Sequence, residues 1–229
     1  MKHPSISAFA FAIAALVTTP LAAQQPTSSA SDVYHVNFGK AVPGQAGALG
    51  ESLMKPDPKS PMPDHFIVLR HQQGDDWDYC VVQHLGPKAT IDPSKYSPPE
   101  RDLTSWHTDT FVVGPPWAEF AKAMGLGTES TAGSVYAVAV WRAVPGHRSQ
   151  LEKILRQPQQ SKVPVSRVVL QHLEGGAWQF LAIDRYNSWQ DFATDQAAAP
   201  AESGADPWAA IREHGAYHHD TLADRLAPR

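Results

Sequence analysis

Two stretches of the chain set imidazole, indole and carboxylate side chains at recurring spacings. "VLRHQQGDDWDY" (68–79) is answered by "VLQHLEGGAWQF" (169–180), with Val, Leu, His, Gly and Trp in the same order. "WHTDTF" (106–111) is answered by "YHHDTL" (217–222), so His107 recurs as His218. Leu103, His107 and Phe111 match His214, His218 and Leu222, each four residues apart, the spacing of one helical stripe. A histidine so placed serves as a general base, a metal ligand or an axial haem ligand. The stronger expectation for His107 and His218 is a buried, hydrogen-bonded role that locks a helix to a sheet. His214 and His218 are weak metal candidates, since no third ligand, HExxH or cysteine pair accompanies them. There is no P-loop, dinucleotide fingerprint or nucleophile elbow. No cofactor is expected from a motif, and haem stays open as an alternative ligand.

The elements that position these residues follow from alternation and turn signals. "VYHVNFGKAVPG" (33–44) is nearly restated by "VYAVAVWRAVPG" (135–146). Each reads as a strand ended by Pro-Gly, followed by a helix with two leucines four apart, Leu49 and Leu53, then Leu151 and Leu155. "HFIVLRH" with "WDYCVVQH", and "SRVVLQH" with "WQFLAIDR", read as hairpins. A helical segment follows in each half. The order strand, helix, strand, strand, helix is most of a ferredoxin-like βαββαβ unit.

This layout resembles the dimeric α+β barrel superfamily, which includes the antibiotic-biosynthesis monooxygenase-like proteins. The carrying residues are the two "VYxV…AVPG" openings, the G-x-x-W hairpins and "NSWQDF…HHDTLADRL". The resemblance implies an α+β fold: two ferredoxin-like repeats, from a tandem duplication, packed sheet to sheet as a fused dimeric barrel. It also implies cofactor-independent oxygenase-like chemistry. The expected boundaries are a signal peptide (1–23), a flexible leader (24–32), a first repeat (33–124), a linker (125–133) and a second repeat (134–229).

If the helices cover Tyr34, Val36, Phe38, Ile67, Leu69, Cys80 and Val82, alternation sends their neighbours into the barrel. The catalytic candidates are then His35, Asn37, Arg70 and Tyr79. The ligand-binding candidates are Trp77, Gln83, Trp141, Arg167, Gln171, Trp178 and Asp184. Such a mixture of aromatic and polar groups suits a cavity for a small molecule. The alternatives are a non-catalytic binding or accessory protein for a hydrophobic or haem-like ligand, and a structural domain with a filled barrel.

The chain has 229 residues, 42% hydrophobic and 18% charged, with a formal net charge of −4. Without basic runs, nothing points to nucleic acid or an anionic membrane. "ISAFAFAIAALV" followed by small residues near Ala22 reads as a secretory signal, with an uncleaved anchor as the alternative. The mature protein is expected to be periplasmic or extracellular, free of the membrane, and a monomer because both halves lie in one chain. The single cysteine, Cys80, allows no internal disulfide and reads as a small buried hydrophobe.

Overall fold

Val42-Pro43-Gly44-Gln45 and Val144-Pro145-Gly146-His147 close type II turns. Gln45 N–H donates to Val42 O and His147 N–H to Val144 O, both at 2.9 Å. Proline presets φ at the second position, and glycine supplies the positive φ at the third, +81° at Gly44 and +85° at Gly146. Each turn releases the chain from a strand into a short helix. In the computed structural model, which describes residues 31–55, 64–90, 102–127, 131–158, 161, 163–174, 177–198 and 207–226, eight strands and five helices are seen. The expected signal peptide and most of the leader lie outside the described residues.

The strands are β1 (Asp32–Ala41), β2 (Phe66–Gln73), β3 (Tyr79–Pro87), β4 (Thr104–Gly114), β5 (Val135–Ala143), β6 (Ser166–Glu174), β7 (Phe180–Tyr186) and β8 (Gly215–Arg225). The helices are α1 (Ala46–Leu53), α2 (Trp117–Ala123), α3 (Arg148–Leu155), α4 (Trp189–Ala197) and α5 (Pro207–His214). The strands form one closed antiparallel barrel in the order β1-β3-β2-β8-β5-β7-β6-β4.

This ring overturns the expected architecture and the family resemblance that carried it. There are not two ferredoxin-like repeats packed sheet to sheet, and the tandem duplication of a dimeric α+β barrel unit is not upheld. β4 pairs with both β1 and β6, and β8 with both β5 and β2. Both junctions are main-chain ladders, so one sheet closes on itself and leaves no edges to protect. The segments around His107 and His218 are the closing strands β4 and β8, not helices. Their four-residue stripe is also compatible with alternation, and in β4 the β-branched Thr108, Thr110, Val112 and Val113 that follow His107 favour the pleated form.

The barrel interior is apolar. Tyr34, Val36, Phe38, Ile67, Leu69, Cys80, Val82, Val112, Tyr136, Val138, Val168, Leu170, Leu181, Ile183 and Ala223, drawn from all eight strands, form one buried cluster. Burial pushes the Cys80 thiol up from its ordinary value, which leaves it an unreactive filler. The helices lie outside: Leu49 and Leu53 of α1 pack on Val68, Tyr79 and Val81, and Leu151 and Leu155 of α3 on Trp141, Val169 and Phe180. The expected phase is therefore inverted, with the polar set on the outer wall.

One end of the barrel is stoppered by α2. Phe120 and Met124 are fully buried against the interior. Tyr34 donates to Pro115 O at 2.6 Å, Tyr136 to Met124 O at 2.8 Å, and Trp117 N–H to Asp32 Oδ2 at 2.8 Å. Asp32 Oδ2 also lies 2.8 Å from Nε2 of buried His84, whose Nδ1 is 3.3 Å from Nδ1 of His65. Both imidazoles stack on the Trp117 indole.

Candidate functional site

The opposite end differs in kind. Continuing the inward phase of each strand past the apolar cluster brings His71 of β2, Thr110 of β4, His172 of β6 and Thr221 of β8 towards the barrel axis. The residues just before β3 and β7 add Trp77 and Trp178. Phe38 lies between the two indoles, its ring centroid 5.5 Å from Trp77 and 6.4 Å from Trp178. Each indole meets a histidine edge to face, His71 on Trp77 at 5.6 Å and His172 on Trp178 at 4.6 Å. Thr110 Oγ1 and His172 Nε2 are hydrogen-bonded, and Thr221 Oγ1 accepts from Asp75 N–H at 3.2 Å. At the rim stand two part-exposed aromatics, Trp106 and Tyr217.

His71 is the unusual member. Its Nε2 is buried and has no hydrogen-bond partner among the described residues. A buried polar atom without a partner costs free energy, so this nitrogen calls for a bond from a water or a ligand. An imidazole nitrogen facing aromatic walls is the arrangement a general base needs against a desolvated planar substrate.

Of the residues expected from sequence, the structure brings only Trp77 and Trp178 to this mouth. The rest lie on the outer wall because the strand phase is inverted. Arg70 is held by Asp224 in a two-pronged pair at 3.0 and 2.6 Å. Tyr79 lies under α1 and donates to Ala46 O at 2.7 Å, with its hydroxyl raised above the usual range, chiefly by burial. Arg167 and Asp184 form another two-pronged pair, both contacts at 2.7 Å. Gln83 stands opposite His35 across the β1–β3 ladder, and Gln171 opposite Phe180. Trp141 packs under α3 and stacks on His218 at 4.6 Å.

The expected burial of both recurring histidines fails at His107, whose side chain is 55% exposed; His218 is 30% exposed, between Trp141 and Trp208. His214 is not on one stripe with His218: it ends α5 and sets its Nδ1 2.9 Å from Nδ1 of His147. Among the described residues no group of three histidine, cysteine or carboxylate side chains is placed to hold a metal ion.

His35 and Asn37 do come together, through a residue the sequence did not single out. Asp109 Oδ1 lies 2.8 Å from His35 Nε2 and accepts from Asn37 Nδ2 at 2.9 Å, while Oδ2 lies 3.0 Å from His107 Nε2. Burial alone would raise this carboxyl. The hydrogen bonds from His35 and Asn37, with the two imidazoles nearby, outweigh it and hold Asp109 below the usual carboxylate range. A carboxylate depressed in the folded state stabilises the fold above its unfolded value. That contribution disappears as pH falls from the ordinary carboxylate range through the lower folded value. Urea midpoints followed into acid should therefore fall less steeply for Asp109→Asn than for the wild type. Parallel acid limbs would show the cluster to be energetically silent.

Fold and mouth together define a closed, helix-coated antiparallel barrel with one stoppered end and one imidazole–indole end. No protein-family model matches the chain, and no curated protein does. Among solved structures it is similar to the crystal structure of an anthrone oxidase-like protein. The TM-score is 0.56 and the identity 15%, over 88% of this chain and 94% of that one. At that identity the likeness shows the fold alone.

Proposed function

We propose that the chain is an oxygenase-like enzyme acting on a planar, weakly acidic aromatic compound of the anthrone kind at the indole–imidazole mouth. The observation that carries this reading is the buried Nε2 of His71 beside Trp77, without a partner among the described residues. The name of the structural neighbour supports the reaction type. Phe38, Trp77 and Trp178 give stacking faces for a fused ring system. His71 takes a proton from the ring carbon, leaving a carbanion delocalised into the aromatic ketone. Dioxygen adds to that carbon, and the imidazolium returns its proton to the resulting peroxide anion. Loss of water then leaves a carbonyl, so one CH2 group and one O2 become one C=O and one H2O. A base and a dry aromatic site are the protein's whole contribution. On the same reading residues 1–23 direct export, and the mature protein acts outside the cytoplasm as a monomer.

The test is oxygen consumption with anthrone as substrate. The expected result is uptake well above the uncatalysed rate, one O2 per ketone formed, with label from 18O2 in the product. Saturable binding with no oxygen uptake would overturn the enzymatic reading and leave a ligand-binding protein.

A further inference from the structure

We propose that the mouth selects ligands that carry an anionic group beside their planar ring, and that Arg142 is the residue that anchors it. This rests on the mouth being the small-molecule site and adds the substrate's charge to that reading. Two cation–aromatic pairs face each other in the ladders that form the rim. Lys40 stands opposite Trp106 across β1–β4, and Arg142 opposite Tyr217 across β5–β8. Both cations continue the inward phase, Lys40 after Phe38 and Arg142 after Val140, two residues beyond side chains that pack in the interior.

The two cations differ in how they are engaged. Lys40 Nζ is bound by the carboxylate of Asp76 and lies 3.2 Å from its carbonyl oxygen. The other carboxylate of that loop, Asp75, lies 3.6 Å from Nδ1 of His219. Arg142 has no carboxylate partner among the described residues. Its guanidinium sits 5.4 Å from the centre of the Tyr217 ring, and that ring stacks in turn on His219 at 5.0 Å. By contrast, Arg70, Arg156 and Arg167 all hold acidic partners. At the rim Lys40 is thus held by the Asp76 carboxylate, whereas among the described residues the Arg142 guanidinium meets only the Tyr217 ring. A guanidinium engaged only by an aromatic ring keeps its N–H fork free for a carboxylate or sulfonate. Held there, such a group places an attached ring system on the path to Phe38, Trp77 and Trp178.

Calorimetric titration with 2-naphthoate and with its uncharged amide tests this on the full chain. The wild type should bind the carboxylate about 10- to 100-fold more tightly than the amide at low salt. The preference should shrink as salt rises. Arg142→Gln should remove the preference by weakening the carboxylate far more than the amide, and Arg142→Lys should keep part of it, because the point charge survives without the fork. Arg142 is exposed, so both variants are expected to fold. Equal affinities in the wild type, or a preference that survives in Arg142→Gln, would overturn the role of Arg142 and leave the mouth as a neutral aromatic site. Binding of neither ligand would overturn the mouth as the small-molecule site, and the anchor with it.

Discussion

Replacing His71 by alanine is expected to lower kcat/KM for an anthrone by about a hundredfold to ten-thousandfold, which is about 2.7–5.4 kcal/mol of transition-state stabilisation. The loss should fall on kcat, with KM little changed. The ring of His71 meets Trp77 by its edge and donates nothing to a neighbour through Nε2. Binding of a planar ligand should rest mainly on the faces of Phe38, Trp77 and Trp178, which the substitution leaves in place. Stability should also be little affected, because deleting a buried nitrogen that lacks a partner relieves a desolvation cost as it removes some packing. Free imidazole added to the alanine variant should restore part of the rate, as a missing base allows. Trp77→Ala is the contrasting variant: Trp77 is 4% exposed within the interior cluster, so its loss should weaken binding and stability together. Steady-state kinetics and urea unfolding on the two variants separate a base from a packing residue. A His71→Ala enzyme with wild-type kcat would remove His71 from the chemistry.

Much of this mouth was written in the chain, though not in the face that alternation first favoured. Alternation in β1 separates Tyr34, Val36 and Phe38 from Val33, His35 and Asn37, but does not say which set faces inwards. In a barrel coated by helices both faces are buried. Val68, Tyr79 and Val81 lie buried under α1, as Ile67, Cys80 and Val82 lie buried inside. Hydrophobicity alone therefore leaves the phase undetermined. The turns were legible because proline and glycine impose their own dihedrals at Pro43-Gly44 and Pro145-Gly146. The leucine stripes of α1 and α3 were legible for the same kind of local reason. β4 and β8 were not: the four-residue spacing of Leu103, His107 and Phe111, and of His214, His218 and Leu222, fits a helix, and pairing with β6 and β2 decides the matter at long range. The signal that could have found the site was present. His71 and Trp77 recur as His172 and Trp178, and Thr110 recurs as Thr221, and all six converge on one end of the barrel. Asp109, by contrast, is joined to His35 and Asn37 only by the β1–β4 register, which no local pattern reveals.

At the stoppered end, Asp32→Ala is expected to cost about 3–5 kcal/mol of unfolding free energy. Asp32 and His84 are both buried, each with a side chain 9% exposed. One carboxylate oxygen, Oδ2, accepts from His84 Nε2 and from the backbone N–H of Trp117, both at 2.8 Å. Alanine leaves both donors without a partner where water does not easily reach, and each carries a desolvation penalty. The damage should spread, because His84 and His65 stack on Trp117, at 5.4 and 4.7 Å between ring centres. Trp117 begins α2, and α2 carries Phe120 and Met124 into the barrel. Asp32→Asn keeps an acceptor oxygen that can take the place of Oδ2 for both donors but gives up the negative charge, and should recover roughly half of the loss. Urea unfolding of the three proteins measures the series directly, and the asparagine variant keeps it informative if alanine proves too unstable to purify. Ligand affinity in the folded fraction should not change, because Asp32 lies at the end of the barrel away from Trp77 and Trp178. A loss below about 1 kcal/mol for Asp32→Ala, the scale of a single solvated hydrogen bond, would mean that α2 is held by the packing of Phe120 and Met124 alone.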